Sequence, residues 1–457
     1  MGRKRAPQSC PPPTPFFRGR HPSLAVLALG LGLWSCGGEG ARPSAADAAP
    51  GGADTLPGGA AEGRGAPEAT ASRLQVLTGV EILLRDSLQL VRGLRAGLVT
   101  NHTGTDSRGV LTADLLAESP HVELVALFSP EHGIRGTEEG GVEIEGGRDP
   151  VTGLQLHSLY GKTRKPTPEM LSGVEVLLFD IQDVGARYYT YVSTMALAME
   201  AAGEEGIPFV VLDRPNPIDG LRVQGNVLDP DFSSFVGLYP VPMRHGMTAG
   251  ELARLFRGEF DVEAELHVMP AKGWKRRMIF GETGIPWVPP SPNMPSVESA
   301  LHYPGTCLFE GTNLSVGRGT DEAFQVVGAP WLDGEALAAA LEARKLPGVR
   351  FEAVRFTPLE PGDGKFAGEA VRGVRLVNED RDVYDPTVTA LHLLRETLAM
   401  SGDRWEWRVG HFDRLAGTDE LRLGLEEGRT VEELRKGWDE ALEAFRRTRV
   451  PYLLYPR

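Results

Sequence analysis

Four stretches of the chain are apolar almost without interruption, and polar residues return at the end of each. They are AGLVTN at 96–101, VELVALFS at 122–129, VEVLLFDI at 174–181 and PFVVLD at 208–213. Runs of this kind predict strands buried on both faces. Candidate helices at 110–118, 168–171 and 191–205 fall between them. Buried strands alternating with helices predict a parallel sheet covered on both sides, a Rossmann-like α/β domain. Between 286 and 331 the pattern gives way to a segment rich in Pro, Gly and Asn, whose aromatics mark it as an ordered loop system. An Ala-rich helix at 334–344, strands near 349–356 and 373–377, and helices at 386–400 and 431–447 come next. This second pattern predicts a smaller α+β domain. The expected boundaries are 73–285 and 286–457.

The first 72 residues follow neither pattern. Arg3, Lys4, Arg5, Arg18 and Arg20 precede a short apolar run, LAVLALGLGLW at 24–34. The run is too short to span a bilayer and fits the core of a signal peptide. It ends in LWSC, which resembles a bacterial lipobox and predicts a lipid anchor at Cys36. Residues 1–36 are then a lipoprotein signal, and the Gly-, Ala- and Pro-rich stretch 37–72 is a flexible linker. An envelope protein facing the periplasm is expected. Gly37 is not an acidic retention residue, which favours the outer membrane. The other cysteines are Cys10, inside the signal, and Cys307. No intramolecular disulfide can form in the processed chain, and Cys307 reads as a small buried residue.

Composition narrows the function. A formal charge of -14 argues against nucleic acid as a partner. No G-x-G-x-x-G follows the first strand and no P-loop occurs, so no nucleotide cofactor is expected. In an open parallel sheet, ligands bind beyond the carboxyl ends of the strands. The residues delivered there are Asn101 and His102 after the first strand, and Glu131 and His132, with Arg135 close by, after the second. Asp180, Asp183, Arg187, Tyr188 and Tyr189 follow the third, and Asp213 and Arg214 the fourth. Structural roles compete: Asp213 could cap a turn, and Asp180 or Asp183 could pair with Arg187 or cap a helix. A metal held by carboxylates with His102, His132 and His245 is the rival chemistry. No H-x-H, H-E-x-x-H or C-x-x-C spacing supports it, and no metal is expected.

Six segments in order resemble one family: GLVTNHTG (97–104), FSPEHGIRG (128–136), DIQDVGARYYTY (180–191), LDRPNPIDG (212–220), MRHGMTAGEL (243–252) and the run from PSPNMPSV to SVGRGT (290–320). This is the DUF1343 family, with exo-β-N-acetylmuramidases of the NamZ type. The resemblance extends from about Arg73 to the terminal RVPYLLYP. It implies a site in the cleft between a Rossmann-like domain and a smaller C-terminal one. It implies release of N-acetylmuramic acid from the non-reducing end of peptidoglycan fragments, without a cofactor. The Glu of the E-H-G motif, the family's proposed acid, falls on Glu131.

Glycoside cleavage needs an acid to protonate the leaving oxygen, and Glu131 beside Phe128 and Pro130 suits that work. His132 is the neighbouring catalytic candidate. A second carboxylate could be Asp180 or Asp183, or the substrate's acetamido group could act in its place. Arg135, Arg187, Arg244 or Arg318 could pair with the lactyl carboxylate of muramic acid. Tyr188 and Tyr189 could stack on sugar rings. Asn101, Asp213, His245, Asn293, Glu310 and Asn313, in the same segments, complete the expected substrate contacts. A metal-dependent amidase or deacetylase and a non-catalytic wall-binding lipoprotein are the alternatives.

Overall fold

The computed structural model describes residues 75–135 and 146–457. The expected signal peptide, Cys36 and the linker lie outside the described residues. A seven-stranded sheet forms the larger part. Its strands are β1 (Arg95–Thr100), β2 (Glu123–Ser129), β3 (Gly147–Arg148), β4 (Gln155–Ser158), β5 (Val176–Asp180) and β6 (Phe209–Leu212). After a separate ribbon of β7 (Gln224–Val227) and β8 (Pro242–Arg244), β9 (Leu266–Met269) completes it. The order across the sheet is β3-β4-β2-β1-β5-β6-β9, and only β3 runs antiparallel to its neighbour. The chain leaves β1 on one side for β2 and returns to its other side for β5. The topological switch therefore lies between β1 and β5, where Thr100 is in register with Asp180.

The continuous apolar runs have a direct cause. In β5, Val176 and Leu178 enter one core, while Leu177 and Phe179 enter the other. Helices α1 (Gly79–Asp86) and α2 (Thr112–Glu118) cover the first face with Val80, Leu83, Ala113 and Leu116. Helices α3 (Tyr191–Glu204) and α4 (Ala249–Glu259) cover the second with Met195, Met199, Leu252 and Phe256. The sequence T-A-G-E starts α4 with a capping box between Thr248 and Glu251.

The remainder is a smaller unit of helices on a three-stranded antiparallel sheet, ordered β10-β12-β11. It comprises α5 (Val297–Thr306), a 3₁₀ turn at Cys307–Gly311, β10 (Val326–Ala329), α6 (Gly334–Glu342), β11 (Val349–Phe356), β12 (Val371–Asn378), α7 (Pro386–Ser401), α8 (Val409–Ala416), α9 (Glu420–Glu426), α10 (Val431–Leu434) and α11 (Trp438–Arg449). Helix α7 follows Asp385, which accepts from the amides of Thr387 and Val388, with Pro386 in the first turn. Two expected helices differ from the pattern. The one at 431–447 is split into α10 and α11 by Gly437, whose φ of 90° no helix accommodates. The one at 168–171 is a run of turns closed by Gly173 at φ 85°.

Candidate active site

The polar residues at the switch between β1 and β5 enter a buried network, in and beside which Asn101 Nδ2, Gln182 Oε1, Asp183 Oδ1 and His245 Nε2 remain without a hydrogen-bond partner among the described residues. The Asp180 carboxylate, 1% exposed, accepts from Arg214 Nε at 2.5 Å and from Thr112 Oγ1 at 2.5 Å. Arg214 also donates to the carbonyl of Thr105. Asn101 Oδ1 accepts from the amide and hydroxyl of Thr103, whose hydroxyl in turn accepts from the amide of Gln182. Next to this network, Asp183 Oδ2 accepts from the amide of Gly185 at 2.7 Å and lies 3.5 Å from His245 Nε2. His245 Nδ1 accepts from the amide of Met247, which places its proton on the nitrogen aimed at Asp183. Asp180 and Asp183 thus act as internal anchors, and neither lines the open cleft.

That cleft lies to the β2 side of the switch. It has a volume of about 520 Å³ and draws its lining from both halves of the chain. Glu131 and His132 enter it from the turn after β2. In that turn His132 and Gly133 both take left-handed backbone, at φ 72° and 74°. Left-handed backbone is costly for a histidine, and such strain gathers at sites where a side chain must be aimed. Glu131 is half-buried, and its Oε2 accepts from Thr190 Oγ1 at 2.6 Å. Thr190 is the N-cap of α3, so the carboxyl group is oriented by a rigid helix start.

Aromatic rings form the walls. Tyr189 meets Tyr191 and Tyr303 edge-on at 5.0 and 5.6 Å, and Tyr303 meets Phe324 at 4.7 Å. Burial holds the hydroxyls of Tyr188, Tyr189 and Tyr303 protonated, well above the ordinary tyrosine range. The smaller unit contributes Glu310 from its 3₁₀ turn, Arg318, and His411 from α8. Glu310 Oε1 accepts from Arg318 Nε and Nη2, both at 2.5 Å. Burial acts to raise the Glu310 carboxyl, but the charges of Arg318 and Lys365 outweigh it and hold it below its ordinary range. Cys307, a buried free thiol, donates to Glu310 Oε2 at 3.4 Å.

The expected site residues thus divide. Glu131, His132, Tyr188, Tyr189, Glu310 and Arg318 share the cleft. Arg135 binds Asp149 at 2.9 Å, bracing the turn instead of facing a ligand. Arg187 is buried and donates to the carbonyls of Asn226, Val241, Leu415 and Ala416. Arg244 is buried against Asp219 at 2.9 Å. Asp213 accepts from the amide of Gly250 and the hydroxyls of Thr248 and Tyr455. Asn293 holds the amide of Gly319, one residue from Arg318, and Asn313 fastens the backbone of Arg404 and Glu406. His102 Nε2 pairs with the carbonyl of Pro289 at 2.8 Å. Among the described residues, no three His, Cys, Asp or Glu side chains gather as metal ligands. Tyr160, Arg164, Phe235, His411 and Arg414 line the cleft without having stood out in the sequence. They sit on turns and on one face of α8, where no strand end or motif points to them.

Two family models match the chain: exo-β-N-acetylmuramidase NamZ, N-terminal, over residues 96–298, and its C-terminal counterpart over 301–455. The peptidoglycan β-N-acetylmuramidase NamZ of Bacillus subtilis (strain 168) is 47% identical over 387 residues, which is 84% of this chain and 93% of that protein. Two crystal structures of DUF1343 family proteins from Bacteroides fragilis NCTC 9343 superpose with TM-scores of 0.78 and 0.66. They share 39% and 33% identity, over 84% and 83% of this chain and 100% and 99% of theirs.

Proposed function

Because the chain belongs to the exo-β-N-acetylmuramidase NamZ family, we propose that it is a glycosidase releasing N-acetylmuramic acid from the non-reducing ends of peptidoglycan fragments. The observation that carries the reading is Glu131, aimed by Thr190 into an aromatic cleft that also holds a cation. Glu131 serves as the acid that protonates the departing glycosidic oxygen. Thr190 fixes the carboxyl plane so that the proton is presented in one direction. The tyrosine walls, neutral at physiological pH, offer ring edges to a pyranose and exclude water. Arg318 is the group for the lactyl carboxylate. Glu310 holds its guanidinium in place from one side, so little side-chain entropy remains to be lost on binding.

The test uses a chromogenic N-acetylmuramide and the matching N-acetylglucosaminide, which lacks the lactyl group. Turnover of the first and not the second is expected. Glu131→Gln should lose ~10²- to 10⁴-fold in kcat on a poor leaving group, with less loss on a good one and little change in KM. A folded variant with near-normal turnover of the poor leaving group would refute the assignment.

We also propose that the protein is a lipoprotein anchored through Cys36 in the periplasm, more readily at the outer membrane. The basic start, the apolar run 24–34 and the LWSC segment support this. In cell fractionation Cys36→Ala should leave the membrane fraction. A variant that stays there as wild type does would end the proposal.

A further inference from the structure

The cleft has two unlike ends. At one end Tyr303 and Phe324 belong to the core, at 6% and 2% exposure, and close it. At the other, Tyr160, Arg164 and Phe235 stand at the rim, with Arg164 exposed and Phe235 half-buried. The Arg164 guanidinium lies 4.5 Å from the centre of the Phe235 ring, and the Tyr160 ring lies 6.2 Å from it, tilted by 49°. Among the described residues Arg164 forms no ion pair, so its side chain is ordered only by the ring below it.

Phe235 is displayed by a rigid device. Ser234 and Gly237 exchange both backbone hydrogen bonds, at 2.8 and 2.9 Å, and Ser233 Oγ donates to the carbonyl of Leu238 at 2.8 Å. This is a two-residue turn with Phe235 and Val236 at its tip. Neither tip residue takes left-handed backbone, so the turn demands no Gly or Asn there, but exposed corners of this kind are ordinarily polar. Two apolar residues there, both facing the cleft, gain nothing for the turn itself. Their ring and methyl surface, flanked by the guanidinium and the Tyr160 ring, match a pyranose: one apolar face, and a rim of oxygens that accept from N–H groups.

An enzyme that removes a terminal sugar must hold that sugar at the closed end and let the rest of the chain leave through the open one. Resting on the proposed function, we infer that Phe235, Arg164 and Tyr160 form the subsite for the leaving sugar, the N-acetylhexosamine whose oxygen Glu131 protonates. The ring of that sugar lies on Phe235, and Arg164 donates to its oxygens.

The experiment compares two substrates with the intact protein. One is the disaccharide of N-acetylmuramic acid linked to N-acetylglucosamine; the other is N-acetylmuramyl fluoride, whose leaving group is a single atom and reaches no subsite. Phe235→Ala and Arg164→Ala should each raise KM for the disaccharide about 5- to 10-fold, the scale of one lost aromatic or cation contact. kcat/KM for the fluoride should stay within about 2-fold of wild type. Phe235→Trp, which restores the stacking face, should recover most of the disaccharide KM. Equal losses on both substrates would mean a structural role and overturn the subsite, as would an unchanged disaccharide KM. Wild-type protein that cleaves neither substrate would overturn the proposed glycosidase activity and the subsite with it.

Discussion

Asp213 illustrates how a buried residue can resemble a catalytic one. It follows β6, has no exposure to solvent, and takes four hydrogen bonds, from the amides of Arg214 and Gly250 and the hydroxyls of Thr248 and Tyr455. Burial pushes its carboxyl up to about 6, against the Thr248, Tyr455 and Gly250 bonds, which favour the anion. A raised folded value makes stability greatest below the ordinary carboxyl value of 3.8, and that part is lost as pH rises through about 6. The loss amounts to roughly 3 kcal/mol. Asp213→Asn keeps the shape and cannot titrate. Denaturant unfolding at pH 4 and pH 7 should therefore find wild type losing roughly 2 kcal/mol relative to the variant at the higher pH, since part of the loss already occurs below pH 4. A difference that does not change with pH would contradict this. The same residue scale explains which site candidates were legible. Glu131 and His132 stand after a strand and reach the cleft. Asp180, equally well placed in the sequence, is neutralised by Arg214 from the next strand end, and spacing along a chain does not reveal such a pairing.

At the scale of elements, strands buried on both faces were readable because, beyond the exposed Arg95 and Glu123 at the starts of β1 and β2, nearly all of β1, β2, β5 and β6 is buried. β9, LHVM, escaped notice because it is a half-buried edge, and β7 and β8 because a short ribbon carries too little apolar surface to make a pattern. Helix α4 was missed for a related reason: its apolar stripe occupies one face of a sequence otherwise rich in Arg and Glu. Its second residue, Gly250, also breaks the usual preference for helix formers. A Cβ there would lie 2.7 Å from Asp213 Cγ and 2.5 Å from Val268 Cγ1, so the glycine lets the helix start sit directly on β6 and β9. Gly250→Ala gains at most about 1 kcal/mol in helix propensity, against about 1–3 kcal/mol for forcing a methyl into a packed site. The steric term should win, and thermal unfolding should show a lower Tm. An unchanged or higher Tm would mean that the strand and helix separate more easily than their packing implies.

Across the whole molecule, the two halves are bound by cations that hold backbone carbonyls. Arg187 joins the end of the main sheet to the β7–β8 ribbon and to the last turn of α8, and Arg449 donates to the carbonyls of Leu221, His245 and Gly246. Burial lowers Arg187 to about 10, so it remains charged at neutral pH. Arg187→Lys keeps the charge, but an ammonium cannot span four carbonyls arranged for a planar fork. A loss of roughly 2–4 kcal/mol in unfolding free energy is expected, from one or two stranded carbonyls around a buried charge. Because α8 carries His411 and Leu415 to the cleft, turnover per folded molecule should fall as well. A variant with normal stability would show that Arg187 does not hold the halves together.

The hydrogen bond from Tyr455 to Asp213 joins residues 242 positions apart. A nascent chain therefore reaches Asp213 long before its partner has been translated, and until then the end of β6 presents a carboxylate with an unfilled place. Contacts of such sequence separation form late, after the cost of closing the intervening loop has been met. A polypeptide cut short on the ribosome before Tyr455 would carry a sheet that assembles but does not seal, and the cell's proteases would meet it as an unfinished molecule rather than as a slightly shorter enzyme.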